Sequence, residues 1–63
     1  MKEKVLNFIR ENTTQLHPFI HYDLIYDKYG DKINEPLAEL CEEEIIKARQ
    51  SITQKPTYEL LEL

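Results

Sequence analysis

The side chains most able to do chemistry in this sequence are two histidines, one cysteine and several carboxylates. His17 and His21 are four residues apart, and Cys41 could supply a third metal ligand. Structural zinc sites need four well-placed ligands, usually from paired cysteine or histidine motifs, and Pro18 interrupts the helix that would align the two histidines. A nucleophilic cysteine needs a paired base, and nothing in the sequence supplies one to Cys41. We therefore expect no metal, no cofactor and no catalytic residue, and a protein that is not an enzyme.

Aspartates recur every four residues over 23–31, which is the spacing of one helix face. A calcium loop starting at Asp27 would need glycine at its sixth position and glutamate at its twelfth. The sequence has Lys32 and Ala38 at those positions. We interpret the aspartates as a solvated acidic surface, and the three glutamates of 42–44 as a solvated helix end.

Tyrosines form a stripe with helical spacing, because Tyr22, Ile25, Tyr26 and Tyr29 stand at i, i+3, i+4 and i+7. We favour the interpretation that these rings belong to the core and that their hydroxyls reach the surface. The alternative is an exposed protein-binding patch, since tyrosine is enriched at interface hot spots.

Size and charge limit the classes of protein that fit. The chain has 63 residues, with 12 acidic and 8 basic side chains and a net charge of −4. Nucleic-acid-binding domains usually carry the opposite sign, so the charge weighs against simple DNA binding. A chain of this size buries only ~60% of its unfolded surface, and a single cysteine cannot form an intrachain disulfide. Stability must come from packing or from a partner, and the sequence is compatible with a homodimer.

The cellular location is predicted from the same composition. A lone cysteine fits a reducing compartment better than a secreted disulfide framework. No apolar run in the sequence approaches the length of a membrane span, and the first residues lack the apolar centre of a signal peptide. We expect a soluble cytoplasmic protein without a membrane partner.

Hydrophobic spacing predicts three helices, which cover residues 2–12, 19–29 and 34–44. Pro18 disfavours helical geometry in the residue before it, so the second helix should start at or after Pro18. Gly30 is the expected C-terminal cap of the second helix, and Asn34 is the expected N-cap of the third. The buried edge of the third helix should consist of Leu37, Leu40 and Cys41.

Two structures are compatible with the chain after Glu44. Ile46, Ala48 and Ile52 share one parity and Lys47 and Arg49 the other, which predicts a hairpin over 46–61 with a turn at 53–56. The alternative is a helix that continues from the third one, since 37, 41, 45, 48 and 52 also fit a period of 3.6. We favour the hairpin because the segment is rich in β-branched residues. The expected fold is α+β in a single domain, 1–63; the alternative is a small all-α helical bundle.

Three helices followed by a hairpin resemble the winged helix-turn-helix family of small bacterial regulators. The segment 4–12, KVLNFIREN, is similar to the opening helix of that family, and 22–30 is similar to its second helix and turn. The segment 37–46, LAELCEEEII, resembles the family's Leu-x-x-Leu-Glu-Glu-x-Gly-Leu-Ile signature. The resemblance implies a winged-helix domain in which the third helix faces outward and 47–60 form the wing.

The sequence departs from the family pattern in two places. Glu44 stands where the family usually has glycine, and a positive φ costs a glutamate about 1 kcal/mol. Either the chain tolerates this strain or the helix continues through Glu44. The family's recognition helix normally presents Arg, Ser, Gln or Asn to base edges. Here the outward positions carry Glu35, Ala38, Glu39, Glu42 and Glu43.

Two functions are predicted, and they differ in the partner. We favour a non-enzymatic interaction module that binds a basic surface of a protein partner through the third and second helices. The expected binding residues are Glu35, Glu39, Glu42, Glu43, Tyr22 and Tyr26. The resemblance implies the alternative, a small DNA-binding transcriptional regulator whose basic wing contacts phosphates. Its binding residues would be Lys47, Arg49 and Lys55, and so few contacts predict weak binding to DNA.

Overall fold

The described residues form helices and a three-stranded antiparallel sheet. The structure is a computed structural model that describes residues 1–49 and 55–61. The helices are α1 (Lys2–Glu11), α2 (Tyr22–Tyr29) and α3 (Asn34–Glu42), with a 3-10 turn at Gly30–Ile33 between the last two. The strands are β1 (Phe19–His21), β2 (Ile46–Arg49) and β3 (Thr57–Leu60), in the order β1-β3-β2. The predicted α+β class is confirmed, and the all-α alternative is wrong.

The core lies between the helices and one face of the sheet. Cross-strand pairing places Ile20 and Ala48 opposite Tyr58, and Ile46 opposite Leu60, so these side chains share the inner face. The outer face carries the alternate residues, including Lys47 and Glu59. The buried hydrophobic side chains are Val5, Ile9, Ile20, Tyr22, Ile25, Ile33, Leu37, Leu40, Ile46 and Tyr58.

The second helix begins at Tyr22, so the predicted start at residue 19 is wrong. Residues 19–21 form β1 and pair with β3, which buries Ile20 against Tyr58. His21 has extended backbone angles, and its Nδ1 accepts a hydrogen bond from the Asp23 backbone N–H at 3.1 Å. The imidazole thereby acts as the N-cap of α2. Pairing with a strand distant in sequence outweighs the local helical spacing.

The predicted hairpin strands are present, and the continuous helix is excluded. β2 pairs with β3 in an antiparallel register from Ile46 opposite Leu60 to Arg49 opposite Thr57. The alternation of Ile46 and Ala48 with Lys47 is therefore that of a β-strand, as predicted. Residues 50–54 lie outside the described part of the chain, and with them the predicted position of Ile52 and the first half of the predicted turn at 53–56.

Asn34 is not the N-cap of α3, contrary to the prediction. The 3-10 turn leads directly into α3, so Ile33 is already close to helical geometry and takes the cap position. Asn34 lies in the first helical turn and has φ −60° and ψ −45°. Its side chain serves the tertiary structure instead: Oδ1 accepts a hydrogen bond from the Tyr22 hydroxyl at 2.8 Å, and Nδ2 contacts the Asp31 carbonyl.

The third helix ends two residues earlier than predicted, because Glu44 adopts a left-handed conformation with φ 59°. The Ile45 N–H donates to the Leu40 carbonyl and the Glu44 N–H donates to the Cys41 carbonyl, both at 3.1 Å. This pair of bonds is the Schellman motif, which satisfies carbonyls at a helix C-terminus and usually has glycine at the left-handed position. The chain thus tolerates the strain of a positive φ at Glu44, and β2 begins two residues later.

Candidate interaction surface

The outward face of α3 is an unbroken acidic surface. Pro36, Leu37 and Leu40 are buried on the opposite side of the helix. The exposed side chains, which we call the acidic face, are Glu35, Glu39, Glu42 and Glu43, with Ala38 among them. The structure therefore presents to solvent all four glutamates that the sequence predicted as binding residues.

This arrangement of charge opposes helix stability. Glu35 and Glu39, like Glu39 and Glu43, stand four residues apart, and each such like-charge pair destabilises a helix by about 0.2–0.5 kcal/mol. Glu42 and Glu43 also lie in the last turn, where the negative end of the helix dipole disfavours carboxylates. Only Glu35, in the first turn, is placed favourably. Helix stability therefore gives no reason for Glu39 and Glu42.

One lysine compensates part of this charge. The Lys2 Nζ at the start of α1 donates a hydrogen bond to the Glu43 carboxylate, so the two groups form an ion pair at the surface. The hydrogen bond to Glu43 raises the pKa of Lys2, and the charge of Glu39 acts in the same direction. The pair joins the N-terminus of α1 to the C-terminus of α3.

The basic side chain of Arg49 is matched by an acid within the sheet. Its Nε donates to the Glu59 carboxylate at 2.7 Å, and a terminal guanidinium nitrogen lies 2.5 Å from the same oxygen. Lys47 stands directly opposite Glu59 in the register of β2 and β3. Glu59 was not among the residues predicted from the sequence, because its pairing with β2 depends on the strand register. Part of the predicted basic wing is consequently neutralised.

The tyrosine stripe divides into buried and exposed members. Tyr22 is only 8% exposed, donates its hydroxyl to Asn34, and has the Lys55 Nζ at 5.1 Å from its ring centroid. Tyr26 stacks on Tyr22 at 6.0 Å between centroids and is 47% exposed. Tyr29 is half-buried and donates its hydroxyl to the Lys4 carbonyl at 3.2 Å. Of the two tyrosines predicted to bind a partner, Tyr26 offers the larger accessible surface.

The residues considered for metal or covalent chemistry are held apart by the fold. His17 packs edge-on against the Phe19 ring, His21 caps α2, and Cys41 is half-buried beside β2. Burial raises the pKa of the Cys41 thiol, against the effect of a hydrogen bond from the Ala48 backbone. Within residues 1–49 and 55–61, no three histidine, cysteine or acidic side chains are grouped to hold a metal ion.

No protein-family model matches this chain, and no characterised protein or solved structure matches it either. None of the helices in the described segments has the length and apolar composition that a membrane span requires. The function must therefore be inferred from the charge and geometry of the surfaces described above.

Proposed function

We propose that this protein is a non-enzymatic interaction module on a winged-helix scaffold, and that the acidic face of α3 binds a basic surface of a protein partner. The observation that carries the proposal is the exposed set of Glu35, Glu39 and Glu42: Lys2 forms its ion pair with Glu43 and with none of these three, and only Glu35 is placed favourably for the helix dipole. A surface that costs stability is better explained by binding than by folding. Tyr26 adds an exposed aromatic ring on the preceding helix.

The order of elements supports a winged-helix scaffold. A four-residue turn joins α2 to α3, which is the connection expected of a helix-turn-helix. The paired strands β2 and β3 follow α3 in the position of a wing. Glu44 has a positive φ at the position where the resembling family has glycine. These features together are what the family resemblance predicts for the passage from the third helix into the wing.

A small DNA-binding regulator is the second candidate, and the outward position of α3 after the helix-turn-helix connection favours it. Phosphate contacts would depend on Lys47, Arg49 and Lys55. Arg49 would have to leave Glu59, and Lys55 already lies over the ring of Tyr22. Three phosphate contacts would give a salt slope of at most about 3, and the acidic face would repel the duplex. We therefore expect duplex binding no tighter than the micromolar range at physiological salt.

The two candidates are separated by mapping the surface that each ligand contacts. Isotope-labelled protein would be titrated with a lysine- and arginine-rich peptide, and separately with a mixed-sequence DNA duplex, while backbone amide shifts are recorded. We expect the peptide to shift amides of α3 and the duplex to produce no saturable shift. Saturable duplex binding with shifts confined to β2 and β3 would instead support the regulator.

Charge-reversal variants test whether the position of the glutamates matters. Glu39→Lys combined with Glu42→Lys should weaken peptide binding at least tenfold. The matched control is Glu11→Lys combined with Glu3→Lys, which makes the same change of net charge on exposed positions of α1. Equal losses in both variants would mean that only net charge attracts the peptide, and the proposed binding face would be wrong.

A further inference from the structure

The outer edge of β1 is open for pairing. β1 ends the sheet on one side, and its bonds to β3 include Leu60 N–H to the Pro18 carbonyl at 2.8 Å and Tyr22 N–H to the Pro56 carbonyl at 3.1 Å. In an antiparallel pair, the backbone N–H and C=O groups of every second residue point toward the partner strand, and those of the residues between point away from it. Phe19 and His21 therefore point their backbone groups away from β3, on the side where the described chain places no further strand.

The opposite edge of the sheet is protected. β2 carries Lys47 and Arg49 on one face, so a second β2 strand paired with it would bring like charges together. Ala48 directs its backbone toward this edge, and the Cys41 thiol accepts a hydrogen bond from it. Charged residues and covered backbone groups are the usual means by which edge strands avoid pairing. β1 has neither; its protection is its length of three residues, which limits any pairing to a short register.

Exposed apolar side chains flank β1 in the sequence. Leu16 is 97% exposed, Phe19 38% and Leu24 48%, so three large hydrophobic residues lie exposed within nine positions of the chain. Single exposed hydrophobic residues are normal on a protein surface. Three of them on and next to a short edge strand are more than scattered single residues, and exposed apolar surface of this kind marks interaction sites where it is contiguous.

We propose that β1 pairs with β1 of a second copy of this chain, antiparallel, with a twofold axis at Ile20, so that the two sheets join into one of six strands. Residues opposite each other in an antiparallel pair share a face. This register places Phe19 opposite His21 of the second copy, on the outer face, and the same pair forms again across the axis. In this register, the His21 N–H of each copy donates a hydrogen bond to the Phe19 carbonyl of the other copy.

The register fits a second copy better than an unrelated strand. The two halves are complementary without change, because an aromatic ring meets an aromatic ring and no like charges face each other within the paired residues. Phe19, which is 38% exposed, loses exposed surface on association. The strand is short, so the interface lies at the small end for proteins, and we expect weak, concentration-dependent dimerisation. The acidic face has no part in this pairing, and the inference does not rest on the proposed function.

Sedimentation equilibrium over a concentration series, from about 10 μM to 1 mM, tests the proposal. The whole chain should move from a monomer of 7.6 kDa toward twice that mass. His21 has φ −80°, which proline can adopt, and its N–H faces the open edge, so His21→Pro removes that donor and leaves the β1–β3 bonds in place. His21→Ala is the matched control, because both variants lose the imidazole and its cap on α2, and only proline loses the N–H.

We expect His21→Pro to weaken dimerisation at least tenfold relative to His21→Ala. A chain that stays monomeric throughout the series, or equal dimerisation of the two variants, would overturn the proposal. Ala48→Pro makes the corresponding change at the β2 edge, and loss of dimer in that variant alone would place the interface there instead. If His21→Pro fails to fold, hydrogen exchange of the unmodified chain decides: the amides of Phe19 and His21 should gain protection as concentration rises, and unchanged exchange would contradict β1 pairing.

Discussion

Replacing Glu44 by glycine should stabilise the protein. Glu44 has φ 59°, and an L-residue with a side chain pays about 1–2 kcal/mol for this left-handed conformation. Glycine adopts it freely but adds about 0.4–1 kcal/mol of conformational entropy to the unfolded chain. The difference is a net gain of about 0.5–1 kcal/mol in the free energy of unfolding. For a domain of this size, that raises Tm by about 2–8 °C.

Removal of the carboxylate must be distinguished from relief of the backbone. Glu44 follows Glu42 and Glu43 at the end of α3, so any neutral residue reduces repulsion with them and with the helix dipole. Glu44→Ala is the control, since alanine removes the charge but keeps the steric cost of a positive φ. Urea unfolding of both variants gives the free energy of unfolding, and the backbone contribution is the difference between them.

The Schellman geometry predicts that Glu44→Gly exceeds Glu44→Ala in stability. Equal stability of the two variants would show that the backbone at Glu44 carries no strain. A less stable glycine variant would refute the reasoning altogether, because it would mean that this residue does not end α3 in a left-handed conformation.

Three further predictions concern buried groups. Tyr22→Phe should lower the free energy of unfolding by about 1 kcal/mol, because it removes the hydroxyl bond to Asn34; the exposed Tyr26→Phe, measured by the same urea titration, should change it little. Burial raises the pKa of Tyr58 to about 12, above the value near 10 of an unfolded chain. The folded state therefore gains stability from neutral Tyr58 below pH 10 and loses it as the pH rises toward 12; a Tyr58→Phe variant whose unfolding shows the same loss in alkaline titration would contradict this. The Cys41 thiol, half-buried and with its pKa raised by burial, should react with a thiol reagent much more slowly in native buffer than in urea, and equal rates would show that it is freely accessible.

Local patterns in the sequence were sufficient wherever neighbouring residues decide the structure. The periodic apolar residues placed α1 within one residue of its observed end, and Gly30 was recognised as the C-terminal cap of α2. The alternation of Ile46 and Ala48 with Lys47 identified β2. The same local spacing predicted the outward direction of the α3 glutamates, because Leu37 and Leu40 fix which side of the helix is buried.

Tertiary structure decided the features that depend on residues distant in sequence. Phe19–His21 became a strand because β3 offers its backbone there, and no local pattern contains that partner. Pairing of the strands also joined Arg49 to Glu59, which removed a charge from the predicted basic wing. The fold brought the Tyr22 hydroxyl within 2.8 Å of Asn34, which serves as its hydrogen-bond acceptor rather than as a helix cap. Helical periodicity and capping are properties of neighbouring residues, and so the sequence alone determines them well; strand pairing and charge neutralisation need two segments brought together by the fold.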